Sequence, residues 1–360
     1  MTNDRPSRFL QTPARRDDHA AGASLRALLL RLMRGENLSR AEAASLLDAL
    51  LDESATDAQI AGALVALALK GETVEELTGM AEAMRARAVR ITTGHKRFID
   101  TAGTGSSAAK TFNVSTAAAF VIAGAGLPVA KHGSRAATSR SGSADVLTAL
   151  GVGVNAAPAV SQRCLDELGM CFMFAPLYHG ATARVAGVRR ELGVHTTFNL
   201  LGPLTNPAGA PRQIIGVWHA SLVEPLARTL AALGTERAWV VHGRDGLDEI
   251  TVSDKTLVAE AKDGGVSAFE IASDDFGVTR ATLEELRGGD AEMNARIIRS
   301  VLAGERRDAA RSLVIVNAAG ALYVGGKARS LIEAAALAAH SIDSGAALDK
   351  MRLLAEATSA

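Results

Sequence analysis

The stretch FIDTAGTGSSAAKTFNVSTAAAFVIAGAGLPVAK, residues 98–131, decides the fold of this chain. It begins with a short apolar run at Phe98-Ile99, passes through a turn with two glycines, continues as a helical stretch after Ser115, and ends in a second apolar run at Val129-Ala130. Apolar runs that alternate with helices are typical of parallel strands covered by crossover helices. The stretch therefore predicts a strand, a helix and a second, parallel strand.

The same alternation continues along the chain and predicts the fold class. A helical stretch follows Ser141, and the apolar run Ala238-Trp239-Val240-Val241 predicts a further strand. The region 249–270 predicts short strands, and the residues after Asp290 predict helices. We therefore expect an α/β fold, in which a mainly parallel sheet is flanked by helices and a smaller all-helical domain lies beside it.

The all-helical domain is predicted over residues 25–92. Apolar residues recur there at helical spacing, and three hydroxyl residues are each followed, three positions later, by a carboxylate or amide. These capping boxes pair Ser39 with Glu42, Thr56 with Gln59, and Thr73 with Glu76. Residues 158–201 are also mostly helical and are expected to join this domain, while residues 93–360 form the α/β domain. Residues 1–24 lack the apolar side chains of a core, so we expect a disordered leader there.

Composition narrows the classes of partner. The 360 residues carry a formal net charge of zero, which disfavours binding to nucleic acid or to an anionic membrane. The longest apolar run, 117–130, is interrupted by glycine and proline and is shorter than the roughly 20 residues of a bilayer span. The only two cysteines, Cys164 and Cys171, lack zinc-site spacing, and they favour buried thiols in a reducing cytoplasm over a disulfide. These features favour a small-molecule partner.

Residues suited to phosphate binding lie in three segments. Gly103-Thr104-Gly105 follows the first strand, Asn113-Val114-Ser115-Thr116 opens a helix, and Lys131-His132-Gly133-Ser134-Arg135 follows the second strand. Glycines let the backbone approach an anion, a helix start supplies unpaired N–H groups, and a lysine supplies positive charge. Ligands of such sheets bind at the carboxyl ends of the strands, where these segments would converge. The sequence therefore predicts a site for a phosphorylated substrate.

Ordered motifs along most of the chain resemble those of the anthranilate phosphoribosyltransferases, the tryptophan-pathway members of a group that also contains pyrimidine nucleoside phosphorylases. The resemblance runs from about residue 25 to about residue 354. The segments that carry it are Thr56-Asp57-Ala58-Gln59-Ile60, Lys70-Gly71-Glu72-Thr73, Asn113-Val114-Ser115-Thr116, Lys131-His132-Gly133, Arg189-Arg190-Glu191-Leu192-Gly193, Phe198-Asn199-Leu200-Leu201-Gly202-Pro203-Leu204-Thr205-Asn206-Pro207 and Asp245-Gly246-Leu247-Asp248-Glu249. The resemblance implies transfer of the 5-phosphoribosyl group from phosphoribosyl pyrophosphate to the amine of anthranilate, with release of pyrophosphate.

The resemblance also implies roles for individual residues. Lys131 and Arg189 would be the catalytic residues, with the lysine near the departing pyrophosphate and the arginine near the carboxylate of the acceptor. The phosphoribosyl pyrophosphate site would comprise Gly103, Gly105, Ser106, Ser107, Thr111, Asn113, Ser115, Thr116, Lys131, Ser139 and Ser143. The acceptor site would comprise Gly103, His132, Ser134, His179, Arg189 and Gly202. Taken alone, Arg189 is more typical of a surface ion pair, and His179 fits a buried structural ring equally well.

A magnesium ion is implied by the same resemblance. Ser115, Asp248 and Glu249 match its positions, and Mg²⁺ prefers oxygen ligands and keeps several waters. Taken alone, the adjacent acids Asp248-Glu249 are more typical of a solvated turn. The resemblance further implies a homodimer formed through the helical domain, with phosphoribosyl pyrophosphate and an aromatic amine as the substrates.

Departures from the family pattern concern the acceptor. Where the family has glycine, aspartate and glycine after the first turn, this chain has Ser106, Ser107 and Ala108. Ser134 replaces an asparagine, and Gly180 and His195 replace a proline and an arginine. Phosphoribosyl transfer is therefore better supported than anthranilate as the acceptor.

Three functions stay open on this basis. The first is transfer to anthranilate or to another aromatic or nitrogenous acceptor. The second is a pyrimidine nucleoside phosphorylase, which the transferase-like segment 202–207 disfavours. The third is a non-catalytic nucleic-acid-binding homologue, which the neutral overall charge disfavours.

Overall fold

The computed structural model describes residues 24–105, 111–136 and 141–359. Residues 1–23 of the predicted leader lie outside these ranges, and so do Ser106, Ser107 and Ser139 of the predicted substrate site. The described part of the chain begins with four helices, α1 (Leu25–Met33), α2 (Arg40–Leu51), α3 (Asp57–Lys70) and α4 (Val74–Arg87).

The three predicted capping boxes are confirmed at the starts of α2, α3 and α4. In each box the hydroxyl accepts the backbone N–H three residues later, and the side chain at that position accepts the N–H of the cap residue. These bonds satisfy donors that a helix start otherwise leaves unpaired. The apolar faces of the four helices, with fully buried residues such as Leu46, Leu64 and Leu77, form the core of a helical bundle.

A seven-stranded sheet follows the bundle in the chain. Its strands are β1 (Ile99–Asp100), β2 (Val129–Gly133), β3 (Met170–Phe174), β4 (Arg212–Gly216), β5 (Arg237–Gly243), β6 (Thr256–Lys262) and β7 (Gly265–Ile271). The strand order is β3-β2-β1-β4-β5-β6-β7, with parallel pairing from β3 to β5 and antiparallel pairing of β6 and β7 at one edge. The predicted α/β class with a mainly parallel sheet is confirmed.

Helices cover both faces of this sheet. They are α5 (Val114–Gly124), α6 (Ser143–Ala149), α7 (Pro158–Leu168), α8 (Ala175–Tyr178), α9 (Ala183–Leu192), α10 (Thr197–Leu204), α11 (Val223–Ala232), α12 (Ala291–Leu302), α13 (Ala309–Val324), α14 (Leu331–Asp343) and α15 (Ala346–Thr358). Ile214 and Trp239 belong to the core shared with α5 and α13, whereas Ile215 and Val240 belong to the core shared with α11 and the bundle. This alternation is the period-two pattern of a strand that is buried on both faces.

Residues 158–201 divide between the two cores. The helix α7 packs against β3 and α15, and β3 is a strand inside a region that the sequence indicates as mostly helical. The helices α9 and α10 contact the bundle instead, α9 at α2 and α3, and α10 at α3 and α4. In the described part of the chain no helix combines the length and the apolar character that a membrane crossing requires.

Candidate active site

The site lies where the strand order reverses direction. The chain runs outward from β1 through β2 to β3 on one side, and then returns to place β4 on the other side of β1. The loops that follow β1 and β4 therefore leave the sheet in opposite directions, and a crevice opens between them. The predicted glycine turn follows β1 at this point.

Glycines let three strand ends approach one another at the crevice. A Cβ on Gly103 would lie 3.0 Å from the carbonyl oxygen of Gly216, and a Cβ on Gly216 would lie 1.7 Å from the carbonyl oxygen of Asp248. Thr104 fixes the first of these contacts, because its N–H and its hydroxyl both donate to the Gly216 oxygen, at 2.9 and 3.1 Å. The turn after β1, the end of β4 and the acids after β5 thus form one packed unit.

The acidic pair fits a divalent cation. Burial and the adjacent Asp248 carboxylate raise the pKa of Glu249 to about 8, against the opposing effects of Lys131 and the Ser115 backbone. Two carboxylates that crowd each other in this way are stabilised by a cation between them, and the ligands at hand are all oxygens. Asp248, Glu249 and the Ser115 hydroxyl are therefore a donor set suited to Mg²⁺ that keeps waters and substrate oxygens in its other positions.

Lys131 is a buried cation beside this pair. Its side chain is 1% exposed, and its Nζ donates to the carbonyl and hydroxyl oxygens of Thr101, at 3.2 and 3.1 Å, and lies 3.4 Å from the Ser115 Oγ. Burial lowers the pKa of Lys131, while the carboxylates of Asp100 and Glu249 oppose that shift. The lysine is thus held rigidly, with its charge balanced by groups of the site.

Two residues with no predicted role, Asp100 and Asn206, organise the strand ends. The fully buried Asp100 carboxylate accepts the N–H groups of Ala102 and His132, at 3.0 and 3.1 Å, and the Asn206 amide at 2.7 Å. Asn206 also donates to the carbonyl oxygen of Ala130 at 2.8 Å. Burial raises the pKa of Asp100, and Lys131 and these donors oppose the shift. A carboxylate within a strand-to-glycine-turn motif is a signal that could have identified Asp100.

The predicted phosphate-binding residues surround the start of α5. Asn113 is the residue before the first turn, Ser115 and the buried Thr116 lie in that turn, and no partner among the described residues pairs with the Thr116 hydroxyl. Across the crevice Ser143 begins α6 and packs against the backbone of Gly133. Thr111 forms an isolated β-bridge with Arg287. The first turn of a helix with unpaired donors is suited to bind phosphate oxygens.

Three predicted acceptor residues line the other side of the crevice with unpaired polar atoms. His132 and His179 have ring centroids 5.1 Å apart, and both are buried. Within the described residues, no hydrogen bond of good geometry reaches the Nε2 of His132, either ring nitrogen of His179 or the Nε of Arg189, although the Thr205 backbone interacts with His179 and opposes the fall of its pKa. Buried polar atoms without partners are costly, so these atoms indicate a place where a polar ligand binds.

One face of α10 holds this group together. The His132 Nδ1 lies 3.1 Å from the carbonyl oxygen of Gly202, and the Arg189 guanidinium stacks over the ring of Phe198, 5.3 Å from its centroid. Phe198 and Gly202 are four residues apart and therefore lie on the same side of the helix. Ser134 is exposed beyond this face, and its carbonyl oxygen accepts the N–H of Ala144.

Both histidines are neutral at pH 7. Burial, with a smaller contribution from His179, lowers the pKa of His132 to about 3, and burial lowers the pKa of His179 to about 4. Burial also lowers the pKa of Arg189, although a guanidinium keeps its charge throughout the physiological range. Arg189 is consequently the cationic member of this group.

Family models match the two parts of the fold separately. Residues 26–88 match the helical bundle domain of a glycosyl transferase family, and residues 95–348 match its a/b domain. The fold thus defines a member of a glycosyl transferase family, with a crevice at the carboxyl ends of its parallel strands.

Individual relatives narrow this class. The anthranilate phosphoribosyltransferase of Moorella thermoacetica is 51% identical over 330 residues, and that of Anaeromyxobacter dehalogenans is 53% identical over 330 residues; each alignment covers 92% of this chain and 97% of the relative. The crystal structure of anthranilate phosphoribosyltransferase from Thermus thermophilus superposes with a TM-score of 0.87 at 40% identity, covering 92% of this chain and 99% of that one. The Saccharomyces cerevisiae enzyme in complex with PRPP and Mg gives a TM-score of 0.84 at 26% identity, with coverage of 93% and 98%. The chain belongs to the anthranilate phosphoribosyltransferase family.

Proposed function

We propose that the protein transfers the 5-phosphoribosyl group of phosphoribosyl pyrophosphate (PRPP) to the amine of anthranilate. The bond between the anomeric carbon and the pyrophosphate oxygen breaks, a bond from the amine nitrogen to that carbon forms, and the amine proton passes to solvent. The observation that carries this proposal is the convergence of Gly103, Lys131 and the Asp248-Glu249 pair at one edge of the sheet. The same activity is supported by relatives named anthranilate phosphoribosyltransferase, because the alignments with this chain cover 97% of their length.

The donor side stabilises the leaving group. The transition state resembles an oxocarbenium ion, so most of the catalytic effect comes from groups that face the developing charge on pyrophosphate. Lys131 and the N–H groups at the start of α5 supply fixed positive charge there. Ser115, Asp248 and Glu249 would hold Mg²⁺, which neutralises the pyrophosphate when it is bound.

The acceptor side orients the nucleophile. A guanidinium binds a planar carboxylate through two parallel hydrogen bonds, so Arg189 is suited to the carboxylate of anthranilate. The neutral ring of His132 donates its Nδ1–H to the carbonyl oxygen of Gly202, so its unpaired Nε2 offers an acceptor to the N–H of the amine. An aromatic amine is unprotonated at neutral pH, and no strong general base is therefore required.

The two substrates meet between two domains. Arg189 and Gly202 lie on α9 and α10, which pack against the helical bundle, whereas Lys131 and the acidic pair lie on the sheet. We assign α9 and α10 to the helical domain of residues 25–92 and the sheet to the α/β domain. Closure of one domain on the other excludes water, which would otherwise hydrolyse the activated sugar.

We assign the protein to a homodimer formed through the helical domain. The helices α1 and α3 pack together and expose the apolar side chains of Met33, Val65 and Leu69, which are 69%, 39% and 84% exposed. Such a face is suited to a second copy of the chain, and sedimentation velocity measures the oligomeric state directly.

Two buried free thiols, Cys164 and Cys171, support placement in the reducing cytoplasm.

Anthranilate fluorescence, followed with PRPP and Mg²⁺, tests the proposed activity. The wild-type protein should consume anthranilate only when both are present. Arg189→Ala should raise the KM for anthranilate by about 10²-fold, since it removes a charge-assisted bidentate contact. Arg190→Ala removes the exposed neighbouring arginine and serves as the matched control. Failure of the wild-type protein to consume anthranilate would refute the proposal.

A further inference from the structure

A buried asparagine far along the chain touches the predicted phosphate-binding segment. Asn294 lies on α12 and is 2% exposed, and it belongs to none of the motifs discussed above. Its Nδ2 donates to the Oδ1 of Asn113 at 3.0 Å, across 181 residues of sequence. The contact joins the C-terminal helices to the start of α5.

Backbone groups fix which way both amides point. The N–H of Gly289 donates to the Asn294 side chain at 2.7 Å, and because an N–H only donates, the atom that it meets must be the Oδ1. The Nδ2 of Asn294 therefore faces Asn113, which must present its own Oδ1 in return. At the other end Asn113 donates through its Nδ2 to the carbonyl oxygen of Ser141 at 3.2 Å, which requires the same orientation.

Asn113 is consequently left with a donor and no spare acceptor. Its Oδ1 accepts both from Asn294 and from the Ser141 hydroxyl, at 3.0 Å each. Among the described residues, no acceptor takes the second hydrogen of the Asn113 amide, and the side chain does not cap α5. An N–H at this helix start is suited to a phosphate oxygen, whereas a carbonyl there would repel one.

We propose that Asn294 is a positioning residue that turns the Asn113 amide so that its N–H group, and not its oxygen, faces the diphosphate of PRPP. The inference rests on the proposed function for the identity of the donor. The segment before α12 is packed closely enough to hold this arrangement, since a Cβ on Gly288 would lie 2.5 Å from the N of Phe112, and Arg287 bridges Thr111.

The substitution Asn294→Asp tests the orientation. It keeps the size of the side chain and the acceptor for the Gly289 N–H, but it replaces the donor that faces Asn113 by an oxygen. Asn113 must then turn its own N–H toward residue 294 and its oxygen toward the donor site. Isothermal titration of PRPP with Mg²⁺ should show about 10- to 100-fold weaker binding, and the KM for PRPP should rise by a similar factor while the KM for anthranilate stays unchanged.

Two comparisons separate positioning from a general structural effect. Arg296→Gln, an exposed site on the same helix, makes the same change in net charge and should leave PRPP binding unchanged. In an Asn113→Ala background, Asn294→Asp should weaken PRPP binding no further, because the group through which it acts is absent. Equal weakening in both backgrounds would overturn the inference.

The outcome remains decisive if the buried carboxylate prevents folding. Asn294→Ala then replaces it, since this change removes the donor without adding charge, and the same background comparison applies. A wild-type protein that binds PRPP but consumes no anthranilate would refute the proposed function and leave the positioning role of Asn294 open to the same test. A wild-type protein that binds no PRPP would refute both.

Discussion

The substitution Gly216→Ala is expected to disable the site through the backbone of a predicted metal ligand. The added Cβ would lie 1.7 Å from the carbonyl oxygen of Asp248 and 2.6 Å from its carbonyl carbon. Real Cβ atoms do not approach other heavy atoms within 3.0 Å, so the Asp248 backbone must retreat by about 1.3 Å. Neither partner can rotate away, since the contact is made by backbone atoms.

A displacement of this size is large for a catalytic group. A misplacement of about 1 Å can cost about 10²-fold in rate, and here it moves a carboxylate that is predicted to hold Mg²⁺. We therefore expect kcat/KM to fall by at least about 10²-fold and the Mg²⁺ concentration for half-maximal activity to rise. The assay is anthranilate fluorescence at saturating PRPP, with Mg²⁺ titrated in the wild type and in the variant.

A matched alanine at Gly94 serves as the control. Gly94 has no heavy atom within 4 Å of its added Cβ, so Gly94→Ala should leave activity unchanged and shift stability by no more than about 0.5 kcal/mol. Thermal unfolding of Gly216→Ala shows whether the protein is still folded at the assay temperature. A folded Gly216→Ala that keeps kcat/KM within about threefold of the wild type, with an unchanged Mg²⁺ requirement, would refute this reasoning.

Three further predictions concern stability and selectivity. Because His179 has a folded pKa of about 4 against an ordinary value of 6.5, the unfolded chain binds its proton first, and this contribution to stability is lost as pH falls from 6.5 to about 4. The free energy of unfolding, measured in urea, should therefore change with pH less steeply in His179→Asn than in the wild type, by about 1.4 kcal/mol per pH unit over that window. Equal slopes would contradict the pKa assigned to His179. The fully buried Glu76 accepts from Lys70 at 2.7 Å, so Glu76→Gln should cost about 3 kcal/mol in denaturant unfolding, whereas Glu82→Gln, which breaks an exposed pair on the same helix, should cost less than about 1 kcal/mol. The kcat/KM for aniline, which lacks the carboxylate, should be about 10⁴-fold lower than the kcat/KM for anthranilate. Similar kcat/KM values for the two amines would contradict the proposed role of Arg189 in acceptor binding.

The predictable part of the fold is the part that is encoded locally. Each capping box spans four residues, and the apolar runs near Ile99, Val129 and Val240 predict their strands without information from the rest of the chain. The strands β3 and β4 were missed for different reasons. The first lies between helices in a region dominated by helical signals, and the second, RQIIG, has only two adjacent apolar residues between polar ones and glycine. Their pairing with β2 and β1 is decided by the tertiary fold.

The same distinction separates the site residues that could be predicted from those that could not. Lys131 lies within a short motif that suggests phosphate binding from the residues themselves, whereas the metal role of the Asp248-Glu249 pair comes from the family resemblance, because adjacent acids alone are more typical of a solvated turn. Asn206 meets Asp100 across 106 residues, and Asn294 meets Asn113 across 181. Neither Asn206 nor Asn294 can be assigned to these contacts from its residue type, because an asparagine is common at turns and helix starts for reasons unrelated to a site. Hydrogen bonds of this range become visible only once the chain has folded.

The two sides of the crevice differ in the charge of their polar groups, and the difference bears on how each substrate is recognised. On the donor side the charged groups of Lys131 and Asp100 have partners within the protein, and the groups without a partner among the described residues are the Thr116 hydroxyl and one hydrogen of the Asn113 amide. On the acceptor side the unpaired atoms belong to His132, His179 and Arg189, and two of these three groups are uncharged. A neutral pocket with one guanidinium fits a ligand that brings one negative charge and several polar edges. In the proposed function a preformed set of charges would hold the diphosphate, and the correct acceptor would offset the cost of the unpaired buried groups on its side, which is how a site of this kind gains selectivity.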